Sequence, residues 1–260
     1  MIQNMTILRL FFRKTMSREI ISRLNPILEA LKSSPCRVNK IFVQNGTGKG
    51  KIQEIINFAR DRKIPLFFVP RKKLEVLDKN HQGAVALLSP KEFSSLGSIL
   101  EGSRLPFLVL LDGVEDPQNL GAIIRTAEGA GVDGIILPER RSAGLTHVVS
   151  SVSAGALEHI KVAKVTNLAR AIDDLKKKGI WIVGAESGSR QYWYEFDYTV
   201  PLGLVLGSEG RGLRPIIRRS CDKILSIPLL GKLTSLNVAA AASVFLYEAA
   251  RQRMGLSQDS

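Results

Sequence analysis

The chain has 260 residues, 45% of them hydrophobic, enough for one large domain or two small ones with real cores. It has no apolar stretch long enough to cross a bilayer, and its two cysteines, Cys36 and Cys221, form neither a disulfide framework nor a zinc pattern. That pattern excludes a membrane-spanning or disulfide-stapled protein and fits two buried thiols in a reducing compartment.

The net charge of +13 is uneven. Residues 1–105 carry 19 Lys+Arg against 8 Asp+Glu, a net of +11, whereas residues 106–260 carry 18 against 16, a net of +2. A basic front half joined to a near-neutral back half suggests a polyanion-binding module beside a module with another task, against the alternative of a merely soluble basic surface.

The first fifteen residues, MIQNMTILRLFFRKT, contain no acid, and Arg9 interrupts their apolar part, which is short for a signal-peptide core. Residues 1–19 read as a disordered leader, with an organelle presequence or an upstream start before Met16 as alternatives. From 20 to 32, Ile20, Ile21, Leu24, Ile27, Leu28 and Leu31 fall near one helical face. A strand at 40–44, a helix at 52–63, a strand at 65–70, a short basic helix at 71–79 and a strand at 83–89 complete a small α/β domain over 20–89. Residues 90–105 lack periodicity and are rich in Ser, Gly and charge, so they read as a linker.

The remainder, 106–260, is also α/β. Strands fit 107–113, 134–138, 181–186, 202–209 and 224–229; helices fit 119–129, 146–154, 167–178 and 237–253. Continuous apolar strands followed by loops and helices point to a mainly parallel sheet covered on both faces. Such sheets place their sites at the carboxyl ends of the strands, and three strand ends here are unusual.

The first is LDGVEDPQNLGAIIRTAEGAG, where Leu120, Ile123, Ile124 and Ala127 can face the core. Arg125 then points away from that stripe, one to two turns from Asn119, either as a solvated surface residue or as a holder of phosphate. The second is LGSEGRGL at 206–213, whose Gly207, Gly210 and Gly212 permit a sharp turn and close approach to a ligand. It is not a dinucleotide fingerprint, and Glu209 is either a pocket acid or a turn residue. The third is IPLLGKLTSLN at 227–237, with Ser235 or Asn237 as cap of the alanine-rich helix that follows. NGTGKGK at 45–51 lacks the spacing of a phosphate-binding P-loop, and His81, His147 and His159 show no metal spacing.

In order and spacing, DPQNLGAIIRTAEGAG, LVLGSEGRGL and IPLLGKLTSLNVAAAASVFLYEA resemble the three signature motifs of the SpoU (TrmH) family of the SPOUT superfamily. SAGALEHIKVAKVTNLARAI at 153–172 is similar to the same family. The likeness covers about 106–253 and, more loosely, 24–89, which resembles the ribosomal-protein-L30e-like substrate domain of the bacterial 23S rRNA guanosine-2′-O-methyltransferase subgroup.

The resemblance implies a trefoil-knotted, mainly parallel sheet with a smaller N-terminal α/β L30e-like domain. It implies a cytoplasmic, homodimeric enzyme that uses S-adenosyl-L-methionine, but no metal, to methylate a ribose 2′-hydroxyl of structured RNA, a guanosine of 23S rRNA first. A tRNA ribose methyltransferase and a non-catalytic RNA-binding or ribosome-assembly protein are the alternatives. Gly207, Ile227 and Leu236 match backbone positions that contact the cofactor; Asn119, Arg125, Glu209, Ser235 and Asn237 match the active-site polar set. The family's candidate base is the residue matching Arg125, an awkward role for a guanidinium and one better suited to a phosphate clamp. The run Ala239 to Ala242 would let a threaded helix pack closely. One departure stands out: Arg23 and Asn25 occupy the places of the subgroup's early Gly and His.

Overall fold

The computed structural model describes residues 19–254, which form two compact units, one ending at Glu92 and one beginning at Phe93. The leader expected over 1–19 lies outside the described residues except for Glu19, which opens a strand.

The first unit is a four-stranded sheet in the order β1-β4-β2-β3, made from β1 (Glu19–Ile21), β2 (Val38–Gln44), β3 (Leu66–Val69) and β4 (Ala84–Leu88). The β2 and β3 strands are parallel and the other pairs antiparallel. Helices α1 (Leu24–Ser33) and α2 (Lys51–Asp61) share one core with the face of the sheet that carries Ile41, Val43, Ala84, Ala86 and Leu88. The short α3 (Arg71–Leu77) covers part of the other face, with Leu74 against Val69 and Val85.

The helix expected over 20–32 therefore starts later. Ile20 and Ile21 belong to β1, where they pair with Leu87 and Ala86. Ile20 and Leu24, four apart, suit one face of a helix, but a three-residue strand needs no longer pattern, and tertiary pairing decided between them. Arg37 fixes this edge, giving a hydrogen-bonded ion pair to Glu19 at 2.6 Å and donating to the carbonyl of Ser89.

The second unit is a six-stranded, all-parallel sheet. Its strands are β5 (Phe107–Asp112), β6 (Gly134–Pro138), β7 (Lys161–Val165), β8 (Trp181–Ala185), β9 (Leu202–Gly207) and β10 (Lys223–Leu225), in the order β10-β8-β9-β5-β6-β7. Every residue of the central β5 and β9 is buried, because each strand has a packed layer on both faces. Phe107, Val109 and Leu111 face a core shared with α5 (Pro117–Gly129), α6 (His147–Val152) and α9 (Val238–Met254). Leu108 and Leu110 face the opposite core, shared with α4 (Leu96–Leu100), α7 (Leu168–Lys176) and α8 (Pro215–Ser220).

Residues 93–105, expected as linker, fold onto this second unit instead. Ile99 of α4 is buried, Ser94 N–H donates to the Val162 carbonyl at 2.8 Å, and Lys164 lies over the Phe93 ring. The polar composition that suggested a linker belongs to the solvent side of a single short turn. Strand β7, interrupted by Lys161 and Lys164, and the six-residue α8 were too polar and too short to show as elements in the sequence. The strand expected over 224–229 ends at Leu225, which frees Ile227 for a loop.

The two cysteines differ from the expected buried pair: Cys36 is exposed, while Cys221 is half-buried with its Sγ 3.3 Å from the Ile217 carbonyl. Burial, helped by the neighbouring Asp222, pushes the Cys221 thiol up to about 12. At about pH 8, where only a thiolate attacks disulfide reagents, Cys36 is expected to react rapidly with an aromatic disulfide and Cys221 only after unfolding. Two rapidly reacting thiols in the native protein, or none, would contradict this packing.

Candidate functional site at the carboxyl ends of the strands

The site is built where β5, β8, β9 and β10 end. In α5, Leu120, Ile123, Ile124 and Ala127 are buried as the periodicity requires, and Asp116 caps the helix by accepting from the Gln118 N–H at 3.0 Å. This fixes Asn119 in the first turn, beside the other two loops.

The loop after β9 is forced by its glycines. Ser208 and Gly212 exchange both backbone hydrogen bonds, at 3.1 and 3.0 Å, so the chain doubles back within five residues. A Cβ on Gly207 would lie 2.3 Å from the Gly212 carbonyl carbon, and Gly212 itself has φ +65°. Neither position accepts a side chain without opening the loop. Its far end is pinned by Asp112, 2% exposed at the end of β5, which accepts from the Arg214 N–H at 2.8 Å and from Arg214 Nε at 2.6 Å.

The third loop ends at Asn237, which resolves the choice of helix cap. Its Oδ1 accepts from the N–H groups of Ala239 and Ala240 at 2.9 and 3.3 Å, leaving Nδ2 to donate to Asn119 Oδ1 at 2.8 Å. Asn119 Nδ2 in turn donates to Glu209 Oε2 at 3.2 Å. One polar side chain from each loop thus joins a chain of hydrogen bonds spanning most of the second unit's sequence.

Two cavities flank that chain. One, of about 300 Å³, is lined by Glu186 after β8, Gly207 and Glu209 after β9, Ile227 after β10, and Ser235 and Leu236 before α9, with Phe245 among its apolar walls. The other, of about 320 Å³, is bounded by residues 113–116, Asn119, Arg211 and again Glu209. Ser208, Glu209 and Val238 line both. The first has the mixed lining of a small-molecule site, with apolar walls and a few converging polar groups. The second is open, polar and edged by the start of a helix.

Of the residues expected from sequence, the structure brings together Asn119, Glu209 and Asn237 by direct hydrogen bonds, and Gly207, Ile227, Ser235 and Leu236 around the first cavity. Arg125 stands apart: it is exposed on the outer side of α5 and lines neither cavity. In the alanine run, Ala239 and Ala242 are buried, Ala241 borders the first cavity and Ala240 is exposed, so only part of the run serves close packing.

Sequence reasoning missed Asp112, Arg214 and Glu186, which lines the first cavity and accepts from Arg218 Nε at 2.5 Å. The signal was present: Asp112 and Glu186 are acids placed directly after runs of apolar strand residues. Among the described residues no cluster of His, Cys, Asp and Glu could hold a metal.

Asp112→Ala is expected to lower stability by about 1–3 kcal/mol, since the Arg214 N–H and guanidinium lose their acceptor together. Denaturant unfolding measures this; unchanged stability would show that the loop after β9 is held by other contacts.

Comparison with known proteins places these features in a family. Residues 106–247 match the model of the SpoU rRNA methylase family, and residues 24–94 match that of the RNA 2′-O ribose methyltransferase substrate-binding domain. A Bacillus subtilis protein named for the TrmH family of tRNA/rRNA methyltransferases is 42% identical over 234 residues, covering 88% of this chain and 94% of the relative. Among solved structures, the SpoU methyltransferase AviRb from Streptomyces viridochromogenes, in complex with the cofactor AdoMet, superposes with a TM-score of 0.79. It is 26% identical, and the match covers 94% of this chain and 93% of AviRb. The A. aeolicus TrmH/SpoU tRNA modifying enzyme is 32% identical with a TM-score of 0.55, over 61% of this chain and 81% of its own.

Proposed function

Because this chain belongs to the SpoU (TrmH) family of RNA methylases, we propose that it methylates a ribose 2′-hydroxyl of structured RNA, at a guanosine of 23S rRNA, with S-adenosylmethionine as methyl donor. The observation that carries this reading is the pair of cavities sharing Glu209 beside the Asn119–Asn237 hydrogen bond. One cavity has the size and lining of a cofactor site and the other opens to a larger substrate.

The residues around the first cavity fit the donor. Its apolar walls suit an adenine ring, Glu186 and Glu209 provide carboxylates for hydroxyl donors and for a positive charge, and the adjoining loops offer backbone groups at Gly207, Ile227 and Leu236. When bound, S-adenosylmethionine supplies an electrophilic methyl group on a sulfonium.

The chain's own contribution is position and polarity. Asn119, held from both sides, keeps Glu209 and Asn237 in fixed places at the junction of the cavities, and Ser235 adds a hydroxyl on the cofactor side. Glu209 can accept a hydrogen bond from a ribose hydroxyl delivered through the second cavity, aligning its oxygen for attack. Arg125, off both cavities, suits a clamp on a backbone phosphate next to the target ribose better than a cofactor contact or a base.

Ribosomal RNA is favoured over tRNA by the family model that matches residues 106–247, that of the SpoU rRNA methylase family. The A. aeolicus tRNA modifying enzyme matches 61% of this chain. A cytoplasmic location is in keeping with a ribosomal substrate. This reading carries with it the expected knot, in which the third loop and α9 would be threaded beside β9, the strand between β5 and β8. A homodimer is supported by the outer side of α9, where Tyr247 and Met254 are 56% and 62% exposed. Of the two departures, Arg23 and Asn25, Asn25 is engaged within the first unit, its Oδ1 accepting from Lys51 Nζ at 2.6 Å.

The test is transfer of radiolabelled methyl to unmodified 23S rRNA and, separately, to tRNA, with nuclease digestion to find the label. Label on a ribose 2′-oxygen of 23S rRNA is expected; label in tRNA alone would overturn the substrate, and RNA binding without transfer to either would favour a non-catalytic assembly protein. Arg125→Ala is expected to lower turnover by at least roughly 100-fold, as loss of a charge-stabilising group does. Its cofactor affinity by calorimetry should be unchanged; a large loss of that affinity would refute the clamp.

A further inference from the structure

The first unit carries an aromatic pair that its own packing uses only in part: Phe42 packs beside Leu74, Val69 and Val85, and Phe67 does not. On the sheet face opposite α1 and α2, helix α3 covers the end of β3 nearest Val69 and leaves the rest open. There Phe42 of β2 and Phe67 of β3 sit directly across the ladder, with ring centroids 5.6 Å apart and planes tilted by 31°. Lys40, two residues before Phe42 on the same face, places its ammonium 5.5 Å from the Phe42 ring. Phe67 is 47% exposed, and Phe68, pointing to the other face, 49%.

Two adjacent exposed phenylalanines on an edge strand are costly. Edge strands are normally blunted by charge, and exposed apolar patches mark contact surfaces. The surroundings select the partner. Residues 19–92 carry 14 Lys+Arg against 7 Asp+Glu, a net of +7, and Arg71, Lys72 and Lys73 are exposed on the first turn of α3. Arg71 already pairs with Glu75 at 2.9 Å, and an apolar protein surface would leave Lys72 and Lys73 uncompensated. A nucleic-acid strand would not, because its bases stack on rings while its phosphates meet the cations.

Resting on the reading of this protein as an RNA methyltransferase, we infer that the Phe42–Phe67 pair is a stacking platform for an unpaired base of the substrate RNA. Lys40 and the first turn of α3 take the flanking phosphates. Phe67 is the contact residue, being exposed and outside the unit's main core; Phe42 backs it. The platform makes substrate choice depend on a single-stranded segment as well as on the methylated ribose, since a fully paired helix keeps its bases inside the stack.

The test uses the full chain and measures affinity, at one fixed salt concentration, for a short fluorescent single-stranded RNA and for the same strand annealed to its complement. Phe67→Ala is expected to weaken single-strand binding roughly ten-fold, as loss of one base–aromatic stack does, and to leave duplex binding unchanged. Phe67→Tyr should bind as wild type, and S-adenosylmethionine affinity and thermal midpoint should not move in either variant. Equal affinity of Phe67→Ala and wild type for the single strand, or equal loss on both RNAs, overturns the platform. So does a change in sedimentation mass with RNA affinity intact, which would make the face a contact between copies. If the wild-type protein methylates rRNA and Phe67→Ala does so with the same KM for RNA, only the platform falls. If the wild type neither binds nor methylates RNA, the function proposed above falls with it.

Discussion

The second unit depends on one amide. Asn119 accepts from Asn237 with its oxygen and donates to Glu209 with its nitrogen, at 2.8 and 3.2 Å. Three loops lying 90 and 118 residues apart in sequence are thereby held at a single point. Only a side chain with both a donor and an acceptor at its tip can make this junction; a carboxylate would repel Glu209 and a hydrocarbon would bond neither. The junction stands on the pinning of Arg214 by buried Asp112 and on the glycine-forced turn between Gly207 and Gly212. Two hydrogen bonds of ordinary strength suffice because the backbone beneath them is already fixed.

That arrangement turns an α/β sheet into a device for bringing two molecules together. The cavity beside β8 and β10 and the cavity beside α5 meet at Ser208, Glu209 and Val238, so ligands in them approach through a common wall. Fixed polar groups around such a meeting point supply alignment that free solution does not, and methyl transfer between two bound partners asks for little else. The basic first unit contributes in another way. Its charge attracts RNA at long range and its aromatic edge supplies short-range selection.

Much of this was legible in the sequence. The apolar runs of β5 and β9 gave strands of a mainly parallel sheet, and the 3.6-residue period of α5 gave both its buried stripe and the outward direction of Arg125. The resemblance to the family's motifs grouped Asn119, Glu209 and Asn237, although no rule of periodicity could show that they touch. What stayed hidden was set by contacts distant in sequence. Ile20 and Ile21 fit a helix until β4 offered a strand partner. Residues 93–105 resembled a linker until β7, itself masked by its lysines, provided a surface for Ile99. Asp112 and Glu186 were overlooked because an acid ending a strand is unremarkable until its burial or its cavity is seen.

The most direct test of the account is methyl-transfer kinetics of Asn119→Ala, with cofactor affinity measured on the same preparation. The account predicts a fall in kcat of roughly 100-fold, the scale on which a positioned polar group acts, with S-adenosylmethionine binding retained within a few-fold. Full activity in this variant would show that the three loops hold their places without the shared amide, and would contradict the central claim.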